Sequence, residues 1–390
     1  MKLCEKNECV GCGACVNICP HQAIEMTCDE RGFNYPIINQ DICIGCGLCQ
    51  KGCFVIHGIE KEFRNGQAFA CMLKDEEVLK RSSSGGAFFG LAKAILDDGG
   101  IVFGASYNEN MVVQHCGITQ SDDLWKLQGS KYVQSSMGQS YKEVREHLRK
   151  NHTVLFSGTG CQIAGLYAYL GKDDDNLITC DVLCKGVPSP RVFADYIDYL
   201  KRKYKKNIQS FNFRSKRYEW GWGTEVNFED GKTKFLTGID GLIMRTVGKG
   251  YVRESCFSCK FTRGERISDI TIGDFWHIGE KYPYTKDASK GVSAILCNTS
   301  KGEKLLHTSE KYLWIEKREF SEVEYGQGTA LTKSLPKPKN YNEFFSVALK
   351  EGYYSAATKF LQDHTITGRI KELIPPRIML WGRKIRKRIR

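Results

Sequence analysis

Between residues 82 and 204 the chain alternates compact apolar runs with breaks of glycine, serine and proline, the texture of helices and strands taken in turn. Ala87 to Leu96 is apolar over a helical length, and Asp97-Asp98-Gly99-Gly100 stops it. Ile101 to Ala105 is short and apolar, which predicts a buried strand. Val154 to Ser157 predicts another, followed by a turn at Gly158-Thr159-Gly160-Cys161 and a helix through Leu170. Leu177 to Leu183 reads as a strand, and Pro188-Ser189-Pro190 opens a helix toward Tyr204, because proline is tolerated in a first helical turn. Strands then dominate, with a hairpin at Glu229-Asp230-Gly231 and interior strands at Ile270-Thr271-Ile272 and Val292 to Cys297. Ser334 to Lys339 is a linker, an amphipathic helix is expected from Phe344 to Leu361, and Pro375-Pro376 breaks it from the tail. Before residue 62 the texture differs, and Phe33 to Ile38 reads as one short strand and turn.

A chain of 390 residues exceeds what one core usually serves, so two or three domains are expected. With 41% hydrophobic and 26% charged residues it is ordinary globular material. The net charge of +12 is uneven: Arg377, Arg383, Lys384, Arg386, Lys387, Arg388 and Arg390 lie in a stretch without acids, and the rest of the chain carries +5. With Ile378, Met379, Leu380 and Trp381 that tail suits peripheral contact with an anionic membrane surface, or is a solvated terminus. Nucleic acid is not an expected partner, since no recognised binding module accompanies the charge. No run reaches the length of a membrane span and the first residues lack the apolar core of a signal peptide, so a reduced, cytoplasmic setting is expected.

Eighteen cysteines carry the chemistry. Cys9-x2-Cys12-x2-Cys15-x3-Cys19-Pro20 recurs 34 residues later as Cys43-x2-Cys46-x2-Cys49-x3-Cys53, with Phe54 in place of the proline. In this spacing of bacterial ferredoxins the fourth cysteine serves the other copy's cluster. One 4Fe–4S cluster is therefore expected on Cys9, Cys12, Cys15 and Cys53, and a second on Cys43, Cys46, Cys49 and Cys19. Zinc is the alternative, but four-ligand zinc sites seldom carry eight cysteines in duplicated register.

Cys256-x2-Cys259 is one further close pair, too few thiolates for a cubane. Cys161 and Cys184, each expected at a strand end in a glycine-bearing turn, either complete such a site or are small buried hydrophobes. Cys4, Cys28, Cys71, Cys116, Cys180 and Cys297 are expected in core packing. Ser82-Ser83-Ser84-Gly85-Gly86 precedes a helix and suits either an anion such as a cofactor diphosphate or a plain capped turn. Lys131, within Gly129 to Ser135, is a candidate cation beside a reduced flavin or a solvated lysine, and Asp274 either orients a ligand or caps a turn. No G-x-G-x-x-G fingerprint follows the first strand, so a standard dinucleotide fold is not indicated.

Together these phrases resemble the beta subunit family of coenzyme F420-reducing hydrogenase and its relatives, which include formate dehydrogenase beta subunits and 7-hydroxymethyl chlorophyll a reductase. The resemblance rests on Ser82 to Gly86, Gly129 to Ser135, Phe156 to Gln162, Cys184 to Pro190, Phe213 to Lys216 and Cys256 to Asp274, and covers roughly residues 1–320. It implies an α+β chain: an N-terminal bacterial-type ferredoxin domain (1–62), then an α/β flavin-binding domain of the F420 hydrogenase beta subunit type (63–148 and 149–325), then a helical extension and basic tail (326–390). It implies bound FAD near Ser82, Ser83, Ser84, Gly85, Gly86, Lys131, Gly158, Thr159 and Gly160, and a third 4Fe–4S cluster on Cys161, Cys184, Cys256 and Cys259. The function it implies is a flavin-dependent iron–sulfur oxidoreductase, taking electrons from ferredoxin or a redox partner protein to a small-molecule substrate, with F420 and a surface-polysaccharide-pathway intermediate as the candidates. A non-catalytic electron-transfer subunit of a larger hydrogenase or dehydrogenase complex is the alternative.

Overall fold

In the computed structural model, residues 3–218, 220, 221 and 223–368 are described. The basic tail, with its expected membrane contact, and Pro375-Pro376 lie outside these residues. The N-terminal module is built on one antiparallel hairpin, β1 (Ile24–Cys28) and β2 (Asn34–Ile38), flanked by short helices at Ala14–Ile18 and Leu48–Lys51. Each of these helices starts just after a glycine with positive φ, Gly13 at 77° and Gly47 at 74°. A left-handed residue between successive cysteines turns the chain so that neighbouring thiols converge, and glycine adopts it without steric cost.

An eight-stranded mixed sheet forms the centre of the chain. Its strands are β3 (Gln67–Leu73), β4 (Ile101–Tyr107), β5 (Val113–Ile118), β6 (Val154–Thr159), β7 (Leu177–Val182), β11 (Ile270–Asp274), β12 (Ser293–Cys297) and β13 (Leu313–Arg318), in the order β13-β3-β12-β11-β7-β6-β4-β5. The four strands β4, β6, β7 and β11 run parallel, and the others pair antiparallel at the two sides. Alternate residues of the central strands enter opposite cores, as a period of two requires. Val102 and Leu155 face the helix Ala87–Asp97, whereas Ile101, Phe103, Val154 and Phe156 face the helices Ser140–Arg149 and Gly160–Leu170. Each such fully buried side chain contributes about 1.5–3 kcal/mol relative to exposure.

A second, three-stranded antiparallel sheet of β8 (Ile208–Asn212), β9 (Thr224–Phe228) and β10 (Thr233–Leu236) includes the expected hairpin. The helix Pro190–Tyr204 packs beside it, its first turn capped by Ser189. One expectation fails at the end of the described chain. The helix anticipated from Phe344 to Leu361 is two pieces, Tyr341–Lys350 and a second helical stretch, α over Tyr353–Ala356 and π over Ala357–Leu361, because Gly352 takes φ 89° and breaks the helix. These pieces bury Tyr341, Phe345 and Tyr353. Phe345 lies edge-on to Phe33 at 5.6 Å and Tyr353 packs on Tyr196 at 4.5 Å, so the extension clasps the N-terminal module to the larger domain. Among the described residues no helix is long and apolar enough to cross a membrane.

Candidate redox site

Three groups of thiols follow one another through the molecule. Cys19, Cys43, Cys46 and Cys49 line one small cavity with Ile44 and Leu48. Cys9, Cys12, Cys15 and Cys53 form the next group, their charges acting on one another, and Cys15 also feels Cys49 of the first. Cys161, Cys184, Cys256 and Cys259 are likewise gathered within mutual electrostatic reach. Cys4, expected in core packing, instead stands against Cys9 and Cys53 as a fifth thiol of the middle group, because the first cysteine turn folds the N-terminus back onto it. Cys28 is exposed, while Cys71, Cys180 and Cys297 are buried as expected.

The middle and third groups share a helix. Gly165 of Gly160–Leu170 lies under Cys12: a Cβ there would stand 2.8 Å from Cys12 Cβ and 2.9 Å from its Sγ. Cys161 is four residues earlier, one turn along the same face, a rise of about 6 Å. Cys161 sits in the first turn of that helix rather than in the expected loop, since β6 runs directly into it.

Burial raises the third group's thiols, Cys161 to about 11 and Cys184 to about 12. A buried thiol without a base is inert, and becomes a thiolate when a metal supplies the compensating charge. Donors already point at two of these sulfurs, the Gly186 N–H at 3.3 Å from Cys184 and the Phe261 N–H at 3.4 Å from Cys259, and the Thr159 hydroxyl lies 3.1 Å from Cys161. This donor set fits an iron–sulfur centre, whose sulfurs accept such bonds. Among the described residues no three His, Cys, Asp or Glu side chains are drawn in tightly enough to grip a single ion. Thiolates on the separate irons of a cubane stand wider apart.

Cys184 also lines a cavity of about 1010 Å³ at the carboxyl ends of the parallel strands, where α/β sheets place their ligands. Ser82, Ser83, Ser84, Gly86, Gly129, Ser130, Lys131, Gly158 and Thr159 share its wall. The hydroxyls of the serine loop already bind protein. Ser82 donates to the Val78 carbonyl and accepts from Gln128, Ser83 accepts the Ser130 N–H at 2.8 Å, and Ser84 donates to the Val292 carbonyl at 2.6 Å. They brace the cradle, leaving it to present backbone. Gly85 and Gly160, expected beside a flavin, are not on the wall: the strand β12 backbone at Ser293 crowds Gly85, and the Phe261 ring lies 2.9 Å from where a Cβ on Gly160 would be. Lys131 donates to the carbonyls of Lys126 and Gln128 at 3.1 and 3.0 Å, and burial pulls its ammonium down to about 7.

Sequence reasoning missed a hydrogen-bonded line along the cavity wall. His115 Nε2 donates to the Ser157 carbonyl at 2.9 Å, which fixes the tautomer, so Nδ1 accepts the Ser135 hydroxyl at 3.0 Å. Ser135 in turn accepts from Gln162 at 2.8 Å, and Gln162 Oε1 accepts the Thr159 N–H at 2.9 Å. Burial pushes His115 down to about 4, so it is neutral here. Arg214, 2% exposed, grips Asp274 with two nitrogens at 3.0 and 3.1 Å and Tyr132 at 2.9 Å, and Trp220 stacks on Trp276 at 4.5 Å beside it. Asp274 thus orients a buried cation rather than capping a turn. Below the sheet's rim, Asp181 pairs with Arg266 and Ser268 in a fully buried network next to Cys259.

Residues 151–322 match the family model for the C terminus of the coenzyme F420 hydrogenase/dehydrogenase beta subunit, and residues 8–55 match that of the 4Fe-4S dicluster domain. No curated protein matches the chain. Among solved structures, a chain of the F420-reducing NiFe hydrogenase complex from Methanosarcina barkeri, studied by xenon derivatization, is similar with a TM-score of 0.47 and 15% identity. The match covers 70% of this chain and 97% of that one. Residues 151–322 therefore carry the C-terminal domain of the coenzyme F420 hydrogenase/dehydrogenase beta subunit family, and residues 8–55 carry a 4Fe-4S dicluster domain.

Proposed function

We propose that this protein is an iron–sulfur flavoprotein oxidoreductase that passes electrons from ferredoxin or another partner protein to a small organic substrate. Coenzyme F420 and a surface-polysaccharide-pathway intermediate are the candidate substrates. The observation that carries the reading is Cys184, which belongs to the third thiol group and also to the wall of the large cavity. In this reading Cys19, Cys43, Cys46 and Cys49 hold the outer cluster, Cys9, Cys12, Cys15 and Cys53 the middle one, and Cys161, Cys184, Cys256 and Cys259 the inner one.

The outer group suits exchange with a partner, since Cys46 is exposed and Ile44 and Leu48, which share its cavity, are 66% and 38% exposed. The cavity suits FAD: its volume reaches the top of the usual ligand range, and its wall combines apolar surface with a few polar groups. FAD supplies the conversion between single electrons and hydride transfer. The Gly86–Ala87 backbone at a helix start and the loop at Gly129 would hold its anionic part. Lys131 would stand by as a cation that an anionic ligand recharges, raising its lowered pKa.

The test is rapid mixing of the oxidised protein with reduced ferredoxin under anaerobic conditions, for the wild type and Cys184→Ala. The wild type should show iron reduction followed by flavin bleaching, and the variant should retain flavin but bleach it at least tenfold more slowly. Bleaching at an unchanged rate would remove the inner cluster from the path. The family name also favours a second reading, an electron-transfer beta subunit of a larger complex without a substrate of its own. Stoichiometric copurification of a hydrogenase or dehydrogenase subunit, with no turnover by the isolated chain, would establish that reading instead.

A further inference from the structure

Arg253 is 1% exposed. Its Nε donates to the Cys9 carbonyl at 2.8 Å, and its Nη1 to the Asn34 carbonyl at 3.0 Å and to Gln134 at 2.9 Å. The Tyr35 ring lies 3.9 Å from its guanidinium carbon. Its main chain is tied elsewhere: the N–H donates to Val187 at 2.9 Å, and the carbonyl accepts the N–H of Cys256 at 3.0 Å. One residue thus joins the first cysteine loop to the loops that carry Cys184 and Cys256. Gly11 is fitted against it, since a Cβ there would stand 3.0 Å from the guanidinium carbon.

Two features mark its surroundings as incomplete. Its protein partners are neutral. Buried Arg214 has Asp274 and buried Arg266 has Asp181, whereas among the described residues no carboxylate pairs with Arg253. In addition, its Nη2 is buried without a hydrogen-bond partner. A buried cation without a counter-charge is strongly disfavoured. Besides the Tyr35 hydroxyl, the acidic groups its charge reaches are thiols of two different groups, Cys9 and Cys161.

We propose that Arg253 is the shared counter-cation of two iron–sulfur centres, the one on Cys9, Cys12, Cys15 and Cys53 and the one on Cys161, Cys184, Cys256 and Cys259, and that it raises the reduction potential of both. The inference rests on the cluster assignment given above. Reduction adds one negative charge to a cluster, and a fixed positive charge at buried range favours that state. Arg253 is a positioning residue: it sets how readily the inner pair of centres accepts an electron and touches no substrate.

The test is potentiometric titration followed by electron paramagnetic resonance on anaerobically reconstituted full-length protein, comparing wild type, Arg253→Lys and Arg253→Gln, with iron counted per chain. Loss of the charge in R253Q should shift both one-electron equilibria at least tenfold toward the oxidised state, which is 59 mV for each, and leave the outer cluster unchanged. R253K keeps the charge without the planar fork and should stay near wild type. If R253Q fails to retain iron while R253K retains it, the counter-charge role is supported again. The proposal is overturned if both variants behave alike, whether both keep wild-type potentials, shift equally or lose iron together, or if R253K loses iron and R253Q does not. A wild-type chain that takes up no iron would instead defeat the cluster assignment itself.

Discussion

Gly165→Ala tests whether the middle and inner thiol groups share one helix face. In an open helix this substitution stabilises by about 1 kcal/mol, because alanine loses less conformational freedom than glycine. Here the added Cβ would stand 2.8 Å from Cys12 Cβ, 2.9 Å from Cys12 Sγ and 2.9 Å from the Tyr141 hydroxyl. Tyr141 cannot swing away cheaply, since it is fully buried and its hydroxyl donates to the Gln162 carbonyl at 2.7 Å. Cys12 cannot retreat without leaving its group. Overpacking of this kind costs about 1–3 kcal/mol, so the two terms leave a net loss of up to ~2 kcal/mol. Urea titration under anaerobic conditions should therefore show a lower midpoint, and iron analysis should show part of the middle cluster's iron missing. An alanine variant with full iron and a midpoint raised by the propensity gain would refute this packing of Cys12 on Gly165.

Two further outcomes follow from the same geometry. His115 is held at about 4, below the ordinary 6.5 of a histidine, mainly by burial. Between those values the unfolded chain binds the extra proton and the native chain does not. Stability from this group is thus complete above pH 6.5 and falls as pH drops toward 4, by ~3 kcal/mol in all; His115→Gln should flatten that part of the profile in urea titrations run across the range. Phe345→Ala removes a ring that is 1% exposed and packs on Phe33, at a cost of about 3–5 kcal/mol. Limited proteolysis should then release the N-terminal module faster than in the wild type, and an unchanged rate would show that the extension does not clasp it.

What the sequence disclosed was local. The duplicated cysteine register is readable because ligand spacing is a property of a few consecutive residues, and the structure converges those thiols with glycines at positive φ between them. The central strands were legible for the same reason, as short apolar runs bounded by turn residues. The pairing of β3 with β12 and β13 was not, because it joins residues more than 200 positions apart. Cys4 gave no signal, since its place beside Cys9 depends on how the N-terminal turn folds back. Arg253 gave none either: its side-chain partners lie 119 to 244 positions away. The serine loop was recognised by composition, but only the structure shows its hydroxyls spent on Val78, Ser130 and Val292. Gly352 is a local signal of the opposite kind, a glycine inside an otherwise helical pattern whose positive φ ends the helix.

Counting iron and flavin per chain tests the proposed relay most directly. Protein isolated without exposure to oxygen should carry about twelve irons, as three cubanes require, and one FAD. About eight irons would leave Cys161, Cys184, Cys256 and Cys259 without a cluster. A full iron complement with no flavin would contradict the assignment of the large cavity.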